Sequence, residues 1–259
     1  MSAISSRFRG VPVFAALLGA LLLAGPPARA DVVDAAVQHA GRSSADRKRD
    51  ALDHPAQILR LAGIKPGMRV ADVLAGDGYS SELASYIVGP KGHVLLLNNT
   101  AYDRWADGQW QKRLAGNRLP NVEHRTVDLE HLDLPAASLD ALLLVKVYHD
   151  LYWIDSDPNS IWPKYDAAAV LDQLTRVLKP GGTLLVVDHS ARPGTAAADA
   201  GTLHRIEEAY AVEDFTRRGF KLVGKSDVLR RPQDTRELIS YKGPALGKTD
   251  RFVLVFRKD

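Results

Sequence analysis

The 259-residue sequence contains no cysteine. That excludes disulfides, thiolate metal sites and cysteine nucleophiles. It also lacks a G-x-S-x-G serine elbow, which argues against a hydrolase built on an open α/β sheet. No internal repeat or low-complexity tract divides it, and no linker marks a second domain. Long apolar runs are scarce. The longest, residues 11–24, is interrupted by Pro12 and Gly19 and falls short of the roughly 20 residues that span a bilayer.

That run belongs to a leader. Arg7 and Arg9 precede it, Pro26 and Pro27 end it, and Ala28-Arg29-Ala30 follows. A charged start, an apolar middle and small residues in that order read as a secretory signal, with cleavage expected after Ala30. The expected location is then outside the cytoplasm, in the periplasm. The leader holds three arginines and no acid, so the rest of the chain has 31 basic residues against 31 acidic ones. No excess of one sign remains to favour nucleic acid or an anionic membrane. Neither is an expected partner, and no stable span is expected once the leader is gone.

What is present is the balance of a globular domain, 46% hydrophobic and 25% charged, in a chain long enough to bury its own core. Residues 31–62 read as a helical extension. Its charge run, Asp46 to Arg49, reads as a solvated helix face. Strands then alternate with helices. Strands are predicted over 68–74, 93–98, 121–127, 139–148 and 183–187, and helices over 80–87, 102–115, 162–178 and 203–218. Lys179-Pro180-Gly181-Gly182 is predicted to end the third of these helices. The unbroken Leu142-Leu143-Leu144-Val145 is the mark of a strand buried on both faces. Two closing strands, 220–229 and 251–256, have no helix between them. The expected fold is therefore α/β, a Rossmann-like doubly wound sheet of about seven strands. It is mostly parallel with an antiparallel last strand, has helices on both faces, and forms one domain over 31–259.

Open sheets of this kind bind ligands at the carboxyl ends of their strands. The first such end is Asp72-Val73-Leu74-Ala75-Gly76-Asp77-Gly78. Two glycines there permit close backbone approach and left-handed dihedrals, and the next helix starts with free amides. A dinucleotide fingerprint fits poorly, because the spacing is not G-x-G-x-x-G and the second strand ends in Asn98-Asn99 instead of an acid.

Five segments together resemble class I S-adenosylmethionine (SAM)-dependent methyltransferases. They are residues 64–78, Val88-Gly89-Pro90-Lys91-Gly92-His93-Val94, Asp128-Leu129-Glu130-His131-Leu132-Asp133-Leu134-Pro135, Ser138-Leu139-Asp140-Ala141, and Leu178-Lys179-Pro180-Gly181-Gly182-Thr183-Leu184. They occur in the family's order. Tyr148-His149-Asp150-Leu151-Tyr152 and Leu203-His204-Arg205-Ile206 resemble a branch of exported methyltransferases in particular. The resemblance implies SAM as cofactor and a small-molecule acceptor. It implies that Asp72, Ala75, Gly76, Asp77 and Gly78 meet the methionine end and Asn98 the ribose. It places Asp128 and Leu129 at the adenine, and Lys146 to His149 along the methyl-transfer side. Two positions depart from the family pattern: Leu74 replaces its first glycine and Asn98 its ribose acid.

SAM carries an activated methyl group, so a protein need only align a nucleophile and remove its proton where necessary. His149 is the candidate base, since histidine titrates near neutral pH. Asp150 would orient it, and Tyr148 completes the catalytic set. Tyr152 and Trp153 could form an acceptor wall, with His189, His204 and Arg205 binding a polar acceptor. His149, Asp150, Asp188 and His189 have suitable ligand chemistry but no recognised ligand spacing, so no metal is predicted. Two alternatives to an enzyme remain. One is a non-catalytic periplasmic binding protein retaining the fold, and the other is an interaction domain using the helices near Arg47 to Arg49.

Overall fold

The computed structural model describes residues 31–155, 157 and 159–259. The predicted leader lies outside the described residues. Among them, no helix is long and apolar enough to cross a membrane.

The elements in chain order are α1 (Val32–Val37), α2 (Ser44–Asp53), α3 (Pro55–Ala62), β1 (Arg69–Val73), α4 (Tyr79–Val88), β2 (His93–Asn98), α5 (Thr100–Trp105), α6 (Gln109–Leu114), β3 (Val122–Thr126), β4 (Leu139–Val145), α7 (Ala167–Val177), β5 (Leu178–His189), α8 (Ala200–Leu203), α9 (Glu208–Arg217), β6 (Phe220–Ser226) and β7 (Arg251–Lys258). The strands form one seven-stranded sheet in the order β3-β2-β1-β4-β5-β7-β6. β1, β2, β3, β4 and β5 are mutually parallel, and β7 runs antiparallel to both β5 and β6. This is the expected Rossmann-like sheet with its antiparallel last strand. The order reverses between β1 and β4, which opens a crevice above their carboxyl ends.

Alternation along each strand divides the core in two. Ala71, Val73, Leu95, Leu97, Leu142 and Leu144 face one side and pack with Val170, Leu171 and Leu174 of α7 and Phe215 of α9. Val70, Val94, Leu143, Leu185 and Val187 face the other, against Val33, Ile58, Leu59, Leu83 and Ile87. Neither face is left to solvent, which is why β4 needs no polar alternation.

The structure differs from the sequence reading at several joints. The predicted helix over 102–115 breaks into α5 and α6, because Asp107 and Gly108 both adopt positive φ. The predicted helix over 203–218 starts only at Glu208, because His204 has φ 50°. Helix α7 begins at Ala167, where the Asp166 carboxylate accepts the Ala168 and Ala169 amides. Residues 179–182 do end α7, but they do so as an irregularity inside β5.

The charge run is not a solvated face throughout. Asp46 is buried and accepts from Arg113, which also pairs with buried Glu82 of α4. Arg42, also buried, forks onto Asp50. The Asp46–Arg113–Glu82 set ties the N-terminal extension to α4 and α6, while Arg42–Asp50 braces the extension itself.

Candidate active site

The turn after β1 is shaped for close approach. Leu74, Gly76 and Gly78 have φ of 51°, 60° and 80°. The Leu74 side chain is buried in the same core as Tyr102 and Val147. Asp72 is buried just before the turn and accepts a 2.7 Å hydrogen bond from Ser81 Oγ of α4. Burial pushes its carboxyl up to about 7, against the pull of the Ser81 hydroxyl.

A carboxyl that holds its proton more tightly when folded stabilises the fold fully below its ordinary value of 3.8, and that contribution fades as pH rises through about 7. Asp72→Asn, which keeps the shape without the titration, is therefore expected to lose less stability than wild type between pH 4 and pH 7. Denaturant midpoints of the two proteins across that range measure the difference. Parallel profiles would mean that Asp72 titrates normally.

At the end of β2, Asn98 turns inward. Its Oδ1 accepts the Gly76 amide at 2.9 Å, and its Nδ2 donates to the Gly76 carbonyl at 3.1 Å and to Asp103 at 3.0 Å. All of its hydrogen-bonding directions toward the turn are thus in use. The next residue, Asn99, caps α5 through the Tyr102 amide and donates to the Tyr165 hydroxyl. Trp105 at the end of α5 lies over the turn, so that a Cβ on Gly76 would sit 3.0 Å from its ring. That indole is 65% exposed. Asp128 is exposed, pairs with His131 and caps the short turn Leu129–His131, while Leu129 itself is buried. Asp77 accepts the Tyr79 amide and faces Arg49 and Arg113. Lys146, at φ 64°, points to Asp53 at 3.3 Å. Burial and the neighbouring Arg49 lower its ammonium to about 8.

Beyond β4 and β5 lies a dense polar cluster. His149 Nδ1 meets Asp188 Oδ1 at 2.7 Å, and its Nε2 meets Asp150 Oδ1 at 3.2 Å. Burial opposes a charged ring, but Asp150 and Asp188 outweigh it and raise the imidazole to about 10. With no ion bound, the two carboxylates favour the protonated ring, which has no lone pair to act as a base. The same Asp150 oxygen lies 3.3 Å from His204 Nδ1, and its other oxygen accepts the Tyr102 hydroxyl. Tyr102 therefore links α5, the helix after β2, to the cluster after β4. His189 Nδ1 bonds Thr249 Oγ1 at 2.8 Å. Burial, with the cationic His149 close by, holds that ring well below the usual histidine value.

The remaining candidates are drawn elsewhere. Tyr148 and Tyr152 both donate to Asp214 of α9, with Tyr148 fully buried. Arg205 is buried and forks onto Asp234 while donating to the Ser190 and Leu238 carbonyls. Trp153 packs against Gly201, His204 and Trp162. The sequence reading passed over Tyr102, Trp105, Tyr165 and Asp53. An aromatic four residues after the second strand is a weak local signal, and only the tertiary fold brings it to Asp150.

The turn fits a SAM methionine end at Gly76, whose backbone is bare, while Gly78 is required by packing, since a Cβ there would sit 2.7 Å from Leu96. The one obstruction over Gly76 is an exposed side chain that can swing away. The ribose contact does not fit Asn98 as it stands, because its amide is engaged.

Comparison with known proteins agrees with this architecture. Residues 72–186 match the model of the methyltransferase domain family. Ubiquinone/menaquinone biosynthesis C-methyltransferase UbiE from Ectopseudomonas mendocina is 34% identical over 138 residues, 52% of this chain and 47% of the relative. UbiE from Vibrio vulnificus strain YJ016 is 33% identical over 134 residues, 51% of this chain and 45% of its own. The match thus spans about half the length of these curated relatives. Among solved structures, a SAM-dependent methyltransferase from Aquifex aeolicus superposes with a TM-score of 0.58 at 21% identity, covering 83% of this chain and 98% of that one. The [4+2]-cyclase SpnF gives 0.56 at 18% identity, with 85% and 84% covered. Residues 72–186 thus resemble a methyltransferase domain, and the chain has the fold of SAM-dependent methyltransferases.

Proposed function

We propose that this chain is an exported SAM-dependent methyltransferase acting on a small molecule or an envelope component. One observation carries the reading. The glycine turn and the His149, Asp150 and His204 cluster stand at the same carboxyl edge, bridged by α5, whose Trp105 lies over Gly76 and whose Tyr102 hydroxyl donates to Asp150. A cofactor site and a polar acceptor site are therefore adjacent. The relatives named as C-methyltransferases support the reaction class, and the composition of residues 1–30 supports export.

SAM, when bound, supplies an electrophilic methyl on a sulfonium. The chain's part is to hold and align. Ala75 to Gly78 would receive the methionine end, with Asp72 fixing the turn to α4 through Ser81. Asn98 braces the turn from beneath, so in this reading the ribose is met by backbone. Asp128 and Leu129 would border the adenine. His149, with both ring nitrogens paired, orients Asp150 and does not take a proton. Asp150 and His204 face the acceptor, beside Trp153.

A second reading, a binding protein that retains the fold, is favoured by the engaged amide of Asn98 and by Trp105 over Gly76. SpnF, named as a cyclase, shows that this architecture serves other ends. Calorimetry with SAM and S-adenosylhomocysteine separates the two. Methyl transfer requires saturable heat with both ligands, and a tryptophan emission change that Trp105→Phe removes. No heat at millimolar ligand leaves only the binding-protein reading. The N-terminal residue of the exported protein, expected to be Asp31, tests the leader.

A further inference from the structure

Among the described residues, one group of side chains converges like the ligands of a metal ion. His149 offers Nε2, Asp150 offers Oδ1 and His204 offers Nδ1, all within 4.8 Å of one another. The carboxylate oxygen lies 3.2 Å from the first nitrogen and 3.3 Å from the second. Donors about 2 Å from a zinc ion at tetrahedral angles stand about 3.4 Å apart. Both carboxylate–imidazole spacings are therefore those of neighbouring ligands around one ion.

Each ligand is also held from behind. His149 Nδ1 is 2.7 Å from Asp188, which fixes the ring with Nε2 forward. The free oxygen of Asp150 accepts the Tyr102 hydroxyl. The His204 ring is packed between Trp153 and Tyr241, at centroid distances of 4.9 and 4.7 Å. A carboxylate behind a ligating histidine is the usual support of metal sites. The cluster is not sealed, since the Asp150 and His204 side chains remain 15% and 14% exposed. An ion could enter on that side and keep a coordination position for an outside ligand.

We propose that His149, Asp150 and His204 bind one divalent transition-metal ion, which displaces the His149 Nε2 proton to solvent, with a position open to an oxygen ligand. Two imidazoles and one carboxylate select zinc, iron or cobalt over magnesium or calcium. The open position would polarise an oxygen bound there. The site stands on its own geometry and does not depend on methyl transfer.

The test uses the full chain, stripped with chelator and without SAM. Zinc chloride followed by calorimetry and elemental analysis is expected to show one equivalent bound below micromolar concentration. Magnesium at a hundredfold excess should not displace it. Cobalt should give the visible absorption of a low-coordinate site. His204→Asn, which tolerates the left-handed backbone there, is expected to weaken zinc binding at least a hundredfold, and Asp150→Asn to do the same. His93→Ala, at a surface pair with Glu123, should change nothing. Failure of wild type to retain stoichiometric zinc overturns the proposal. So does wild-type affinity in both folded cluster variants.

Discussion

Asn98→Asp is expected to destabilise the protein, although an acid is the family residue at the end of the second strand. The Asn98 Nδ2 donates to the Gly76 carbonyl and to the Asp103 carboxylate. A carboxylate in its place would turn oxygen toward both. The buried Gly76 carbonyl and the half-buried Asp103 carboxylate would lose their donor, and a second negative charge would enter beside Asp103. Unsatisfied buried acceptors cost about 1–3 kcal/mol each, and an uncompensated buried charge costs about 3–5 kcal/mol. The two penalties overlap here, because Asp103 keeps His124 and Thr126 as partners. A net loss on the order of 3 kcal/mol is expected, read from denaturant unfolding of both proteins. Adding Asp103→Asn should recover part of it, and the double-mutant cycle isolates that coupling. A variant as stable as wild type that binds SAM more tightly would show that residue 98 faces the ribose. The bracing role would then be lost.

The same residue shows where sequence reading stops. The glycine turn, the four-residue apolar run of β4 and the Lys-Pro-Gly-Gly signal are local features, set by backbone freedom and by the two-residue period of strands. They were legible, and with them the sheet. The breaks at Asp107 and His204 were not. Both are non-glycine residues in the left-handed region, which such residues enter only occasionally and mostly under tertiary constraint. Tertiary contacts hold His204 there, against Trp153 and Tyr241. The direction of Asn98 was equally hidden, because an amide at a strand end can serve a ligand or its own loop. Only the position of Gly76 decides between them. The candidate ligands escaped for a related reason. Two are adjacent in sequence and the third comes from another segment, so no spacing announces them. Asp46 was misread because charge runs are usually solvated, and its partner Arg113 lies far along the chain.

Asp188→Asn is expected to have the larger effect on the polar cluster. The Asp188 carboxylate is fully buried at the end of β5. It accepts from the His149 ring at 2.7 Å, from the His149 amide at 2.9 Å and from the His189 amide at 2.7 Å. All three partners are N–H groups, and two of them share Oδ1. An amide can accept on one side only. Whichever way it is turned, its NH2 meets at least one N–H donor, and the buried His149 cation loses half of its compensation. Breaking a buried charge pair from one side costs about 3–5 kcal/mol. Unfolding in chelator should report a loss of that size. A purely structural role would end there. A positioning role predicts more, since the His149 ring would no longer be fixed with Nε2 toward Asp150. Zinc affinity should then fall about 10- to 100-fold, as for other residues behind metal ligands, in protein that remains folded. Asp188→Glu retains the charge but reaches one methylene too far, so it should keep more stability than the amide and still lose the alignment. A loss below 1 kcal/mol for Asp188→Asn would mean that the three donors find other partners, and the cluster would then be softer than its geometry implies.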